Sequence, residues 1–419
     1  MTSRLWIGSG RRIAIAAAAF AVVAAAPARA DVILDWNATM VSVLNVPPFP
    51  AARFAAITQL AVFEAVNAIT GRYEPYLGTI TAPPGASPEA AAAAAAHRVL
   101  RTYFPGQATV LDAAFAASLA AIADGPHKVD GIAVGEAAAA AMVLLRGNDG
   151  STPAESYLPA TSDAGTWQLT GGCSANGGSS AQWGKVTPFA LVSASQFRPG
   201  PPPQLTSGEY SKDFLEVKTG GAIDSLSRTP EQADVALFYA RLSPVTWANS
   251  AARQVASAQG QSLVENARAF ALLNMALNDA AVATFEAKYY FKAWRPETAI
   301  HAAGADGNAR TEADVAFIPL VSAPCFPSYP SNHATVSYAA REVLERLYGP
   351  GGHDISLSTS LLPGVTLTYS AFKRITDDVD DARVFGGIHF RFDQDAGAKL
   401  GKSIGAFVYK NRLGAVEPR

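Results

Sequence analysis

The residues best suited to chemistry lie in the last third of the chain, in three short clusters. The first is Lys288-Tyr-Tyr-Phe-Lys-Ala-Trp-Arg295-Pro296, which sets cations in an apolar, aromatic stretch. Lys288 and Arg295 are seven apart, so on one helix they share a face two turns apart, with Lys292 between them. Cations buried there need an anion or acidic partners; the alternative is side chains that snorkel to the surface. The second cluster is Pro327-Ser328-Tyr329-Pro330-Ser331-Asn332-His333, where two prolines stiffen a loop leading into a helix that starts near Asn332. A helix N-terminus with free N–H groups and the Ser331 hydroxyl can hold an anion, and His333 in its first turn can exchange protons with a bound oxyanion. A plain serine cap with an incidental histidine has the same pattern. The third cluster is Arg383-Val-Phe-Gly-Gly-Ile-His389-Phe-Arg-Phe-Asp393. Arg383 offers a two-pronged fork for oxyanions. The spacing of His389 and Asp393 predicts one helical face, on which the carboxylate fixes the imidazole tautomer and raises its basicity. A histidine packed in an aromatic-rich helix is the competing reading.

The elements that must position these clusters read as helices. Apolar residues at three- and four-residue steps predict helices over 51–69, 87–103, 107–123 and 129–145. The start at 87 is marked by Ser87 as a cap and Pro88 after it. Further helices are predicted over 229–243, 262–294, 332–348 and 371–385. Between 147 and 207 the periodicity fails; glycine pairs and Pro199-Gly200-Pro201-Pro202-Pro203 alternate with Trp167, Trp183 and Phe189. A stretch this long without regular structure is commonly functional, and its large aromatics predict an ordered cover wrapped on the body near a cavity. The expected class is all-α, a helical bundle with a loop-rich cover. The expected organisation is a signal segment (1–30), an N-terminal helical half (31–148), a connecting segment (149–207) and a C-terminal helical half carrying the oxyanion site (208–419).

Composition excludes several function classes. Of 419 residues 49% are hydrophobic and only 16% charged, against about 25% charged in average soluble proteins; this fits packed, alanine-rich helices. With 33 basic and 35 acidic residues, the chain lacks the basic excess of a nucleic-acid binder. Two cysteines rule out a disulfide-dense scaffold and any Cys-rich metal site; whether Cys173 and Cys325 pair is left open. No GxGxxG, P-loop, HExxH or GxSxG motif occurs. Arg4, Arg11 and Arg12, an apolar run over 13–26 and Ala28-Arg29-Ala30 predict an export signal, with Arg11-Arg12 weakly similar to a twin-arginine signal. Without residues 1–30 the chain holds 29 basic and 35 acidic residues, a net of −6. An exported, periplasmic or secreted protein with no membrane span is expected, because no later stretch reaches the apolar length a bilayer needs, about 20 residues.

Together the clusters are more specific than any one. The order Lys-x6-Arg-Pro, Pro-Ser-x-His, Arg-x5-His-x3-Asp over 288–393 resembles the signature shared by vanadium-dependent haloperoxidases and the type 2 phosphatidic acid phosphatase and bacterial acid phosphatase superfamily. The long helical N-terminal half is compatible with the haloperoxidase-like members. The resemblance implies a vanadate cofactor held by Lys288, Arg295, Ser331, Asn332 and Arg383. It makes His389 the apical vanadium ligand, Asp393 its support, and His333 the general acid/base. Hydrogen peroxide, a halide and a small organic acceptor are the implied reactants. Phe326, seven before His333, and Trp294 are candidates for a halide pocket. The runner-up is an acid phosphatase using His389 as nucleophile through a phosphohistidine. A third reading is a non-catalytic oxyanion binder, because Asn332 stands where the superfamily has glycine; Ala382 also replaces a common serine. His97, His127, His301 and His353 match no motif and read as structural or surface groups. Asp377, Asp378, Asp380 and Asp381 read as a solvated helix face, one of them a candidate partner for Arg383.

Overall fold

The computed structural model describes residues 31–171 and 173–416; the expected export signal in 1–30 lies outside them. Five helices open the described chain: α1 (Val32–Val43), α2 (Pro48–Thr70), α3 (Pro88–Tyr103), α4 (Ala108–Ala120) and α5 (Pro126–Leu145). After the cover follow α6 (Gly208–Gly220), α7 (Pro230–Arg241), α8 (Pro244–Gln259), α9 (Leu263–Phe291), α10 (Pro296–His301) and α11 (Asn332–Tyr348). Strands β1 (Gly351–Ser358) and β2 (Thr366–Ala371) form an antiparallel hairpin, and α12 (Phe372–Phe385) and α13 (Arg391–Asn411) close the fold. The expected all-α body therefore carries one small sheet. Its sequence signal is brief: Ile355 and Leu357 alternate inward, a two-residue period that a helical reading passes over.

Helix α9 is the axis of the molecule. Its 29 residues are apolar around nearly the whole circumference, the mark of a helix buried on all sides. α2, α8, α11 and α13 pack on it, and one large core joins residues of α1–α3, α8, α9 and α11–α13. α2 is long and apolar enough to cross a bilayer, but 89% of its most apolar window is buried inside the protein, which makes it a core helix.

Two devices place the site. The first is the glycine stripe Gly397, Gly401, Gly405 along α13. A side chain at Gly401 would put its Cβ 2.2 Å from the Thr335 carbonyl oxygen, and one at Gly397 would come within 2.7 Å of that of Ser331. Bare glycine lets the backbones of α11 and α13 touch, so the N-termini of both helices meet, and the Ser331 N–H donates to the Asp393 carbonyl at 2.9 Å. The second is the turn after α12. Gly387 has φ +76° and lies against the Gly221 carbonyl; only glycine fits both, and this turn delivers His389 inward.

The cover is tied down at several points. Asp279, fully buried in α9, accepts the N–H groups of Phe189, Ala190 and Leu191 at 2.7–2.9 Å. Asp149 is gripped by Arg53 and Arg146. Trp167 donates its N–H to Lys292 and Trp294 donates to Gly165. Cys173 and Cys325 form a disulfide with Cα atoms 5.2 Å apart, which answers the pairing left open by the sequence.

Candidate active site

Lys288 and Arg295 converge, but not on one helix. α9 ends at Phe291 and Lys292 takes a left-handed cap conformation, φ 52°. Its ammonium rests over the Tyr157 ring at 5.0 Å, away from the face expected for it. Pro296 then forbids a helical Arg295, which is extended at φ −85°, ψ 157°. Both cations are wholly buried. The Lys288 ammonium donates to the carbonyls of Pro327 and Ser328 at 2.8 and 2.6 Å. Arg295 donates through Nε to the Phe326 carbonyl (2.9 Å) and through Nη1 to the Ile388 carbonyl (2.8 Å). The loop 326–328 thus serves as a carbonyl bracket for both, and the Phe326 ring lies 5.3 Å from the Lys288 ammonium and 5.0 Å from the Arg295 guanidinium. That is cation–π distance.

His389 and Asp393 meet, again by a route different from the expected helical face. His389 precedes α13, and Asp393 is at the third position of that helix. Asp393 Oδ2 accepts the Phe390 N–H (3.1 Å), the Ser328 hydroxyl (2.6 Å) and His389 Nδ1–H (2.9 Å). On the other edge of the ring, Arg295 Nη1 lies 3.0 Å from Nε2. A guanidinium only donates, so Nε2 carries the lone pair and Nδ1 the proton. The imidazole is neutral, with its basic nitrogen turned to the cations.

Ser328 is the residue that the sequence reading left without a role. Its hydroxyl touches both Asp393 and His389 Nδ1, the latter at 3.2 Å. Its position between two prolines is a weak signal, and sixty residues of chain hide the contact. Ser331 caps α11 by accepting the Ala334 N–H at 3.4 Å and is wholly buried. Asn332 is the first helical residue and has no left-handed backbone. A glycine's conformational freedom is therefore not required there; the substitution adds a buried amide whose Oδ1 has no partner among the described residues. His333, one residue further, is partly exposed, and its ring makes no hydrogen bond among the described residues.

Arg383, from the last turn of α12, is buried, with Nη1 3.4 Å from the Tyr239 carbonyl. None of the four nearby aspartates neutralises it. Asp377 pairs with Lys373, Asp378 with Tyr369, Asp380 with Tyr338 and Asp381 with Arg391. The solvated-face reading needs correction at Asp380, whose carboxyl is pushed up to about 7, chiefly by burial.

Trp294 is also corrected. Adjacent residues on extended chain face opposite ways. While Arg295 enters the cage, Trp294 joins a separate aromatic cluster with Tyr210, Phe390 and Phe392, apart from Phe326. Among the other histidines, His97 pairs with Asp112, while His301 and His353 are bonded to backbone carbonyls.

The electrostatics describe a cage of unbalanced positive charge. Burial, then the field of Arg295 and that of Arg383, hold Lys288 well below its ordinary value. Burial, against the pull of Asp393, takes Arg295 down to about 9, and burial alone takes Arg383 to about 10. Burial and the three cations push His333 and His389 far down. Asp393 is the single carboxylate in contact with this group among the described residues, and burial lifts it to about 6. Donors are left over: Arg295 Nη2 and Arg383 Nε are buried without partners. Buried donors of that kind call for an acceptor, and an oxyanion supplies both the acceptors and the missing charge.

A helical body presenting such a cage defines a class. Residues 268–417 match the family model described as the VCPO second helical-bundle domain. The chain is 26% identical over 199 residues to the vanadium chloroperoxidase of Curvularia inaequalis, a match covering 40% of this chain and about a third (32%) of that relative. Its fold superposes on a bacterial vanadium-dependent iodoperoxidase with a TM-score of 0.76 at 24% identity, covering 93% of this chain and 96% of that one. For a bacterial vanadium-dependent chloroperoxidase the TM-score is 0.70 at 17% identity, covering 87% and 94%. The chain is thus similar to vanadium haloperoxidases in fold, and the family model matches residues 268–417.

Proposed function

We propose that this chain is a vanadium-dependent haloperoxidase, oxidising a halide with hydrogen peroxide in the presence of a small organic acceptor. The observation that carries the reading is the pair of partnerless donors, Arg295 Nη2 and Arg383 Nε, beside a neutral imidazole whose Nε2 lone pair faces the cations. These residues fit an orthovanadate. Lys288, Arg295 and Arg383 hold its oxygens, helped by Ser331 and the N-terminus of α11, and Nε2 of His389 is the ligand atom. Bound vanadate supplies an electrophilic centre at which peroxide is activated toward halide. Asp393 and Ser328 keep the His389 proton on Nδ1, so that Nε2 stays available. His333, with its ring uncommitted, would be the residue that exchanges a proton with peroxide at this site. The buried cations neutralise developing negative charge without reorganising. The export signal expected over 1–30 supports a periplasmic or secreted location.

The test is a paired assay on the purified full chain. After incubation with orthovanadate, bromination of a dione by peroxide and bromide should appear and should require the vanadate. Aryl-phosphate hydrolysis that vanadate inhibits, without halogenation, would instead make the cage a phosphatase site. Silence in both would leave an oxyanion-binding protein.

A further inference from the structure

Arg383 is the cation of the cage with the fewest protein acceptors. Lys288 and Arg295 each donate to two backbone carbonyls. The Arg383 guanidinium has one acceptor among the described residues, the Tyr239 carbonyl at 3.4 Å. That carbonyl lies in the last turn of α7, where backbone oxygens run out of helical donors. It is also part of the negative end of the helix dipole, which favours a cation. Even so, a long side chain on one extended hydrogen bond keeps rotamer freedom, and it must give that up when it grips an anion.

The same tyrosine carries a second tie. Tyr239 Oη lies 2.8 Å from Tyr369 Oη, and Tyr369 Oη donates to Asp378 Oδ2 at 2.7 Å. A phenol has one proton, and that of Tyr369 goes to the carboxylate, so Tyr239 is the donor within the tyrosine pair. Both rings are buried, and burial pushes both phenols far above their ordinary value, which keeps them protonated. Asp378 stands five residues before Arg383 on α12, the helix that packs along α7. Helix α12 therefore grips Tyr239 at both ends. Arg383 takes its carbonyl, and Asp378, through Tyr369 of β2, holds its hydroxyl.

We infer that Tyr239 is the positioning residue of Arg383: its hydroxyl, locked through Tyr369 to Asp378, fixes the end of α7 so that its carbonyl holds the guanidinium ready for an oxyanion. A donor oriented before the anion arrives costs no reorganisation on binding. The inference rests on the reading of the cage as an oxyanion site, and it holds for halogenation and phosphoryl transfer alike.

The test is a double-mutant cycle read by calorimetric titration of orthovanadate into the full chain. Tyr239→Phe removes the hydroxyl tie and keeps the carbonyl. It should weaken binding by about threefold to tenfold, the worth of one neutral hydrogen bond. In an Arg383→Ala background the same change should alter affinity by no more than about twofold, because the tie then has nothing to position. Tyr369→Phe breaks the chain of hydrogen bonds one step further from the cage and should repeat both results; it takes over if Tyr239→Phe does not melt like the parent. Unchanged affinity in both tyrosine variants, or an equal loss with and without Arg383, would overturn the proposal and leave the oxyanion site standing. A parent that binds no orthovanadate would overturn the oxyanion reading and this proposal with it.

Discussion

His389 has its tautomer set from two sides. Arg295 can only donate and claims the lone pair on Nε2; Asp393, charged in part through the Ser328 hydroxyl, claims the proton on Nδ1. Arg383 is the complementary case, a buried guanidinium with a donor to spare. Its contribution should therefore show in anion binding more than in folding. Arg383→Ala is expected to lower orthovanadate affinity by about 10- to 100-fold, the worth of a charge-assisted hydrogen bond, when measured by calorimetry. Affinity within twofold of the parent would remove Arg383 from the cage. At this scale the sequence was most legible where a side chain carries charge. Lys288, Arg295, Arg383, His333 and His389 could be picked out by type and spacing. Ser328 could not, because its role is a contact across sixty residues, and the carbonyls of 326–328 leave no mark in side-chain identity.

Elements show why spacing misleads. The seven-residue step from Lys288 to Arg295 suggested one helix, yet Pro296 excludes its predecessor from helical geometry and Lys292 ends the turn. The cations still converge, because the carbonyl bracket of 326–328 gathers both. His389 and Asp393 meet at the mouth of α13 rather than along a face. α13 itself escaped the reading of periodicity: three glycines weaken its helical signal, and they are what the contact with α11 demands. Gly401→Ala should destabilise the protein by about 2–3 kcal/mol, at the upper end for overpacking, since its Cβ meets backbone that cannot yield. Denaturant titration measures it, and a change under half a kilocalorie would refute the contact.

α12 contributes a pH dependence. The Asp380 carboxyl accepts from Tyr338 on one oxygen, and its other oxygen is buried and unpartnered. Its pKa rises from 3.8 to about 7, mainly through burial. A raised acid favours the folded state only while protonated. The stabilisation is complete below pH 3.8 and is lost as pH climbs through about 7. Asp380→Asn should flatten this slope and raise the melting temperature at pH 8. An unchanged slope between pH 5 and 8 would show that the carboxyl titrates normally.

The whole molecule is a helical body with an irregular cover. The helical class could be read from alanine-rich periodicity, and the cover from its prolines, glycines and tryptophans. The cover's path could not, since it depends on single long-range contacts such as Asp279 with 189–191. The Cys173–Cys325 bridge fastens the cover beside Phe326 and closes a loop of 152 residues. Reduction, or Cys173→Ser, should cost about 2–4 kcal/mol and lower the melting temperature, with the loss reversed on reoxidation. An identical melt with and without reductant would show that the cover is held without it.

All these levels serve one claim, that the chain encloses a vanadate beside His389. Titration of orthovanadate into the purified full chain, followed calorimetrically and by bromination rate on the same samples, measures it directly. The account predicts one vanadate per chain, a bromination rate that rises in proportion to the loaded fraction, and neither in His389→Ala. Bromination independent of vanadate, or saturable binding that survives unchanged in His389→Ala, would contradict it.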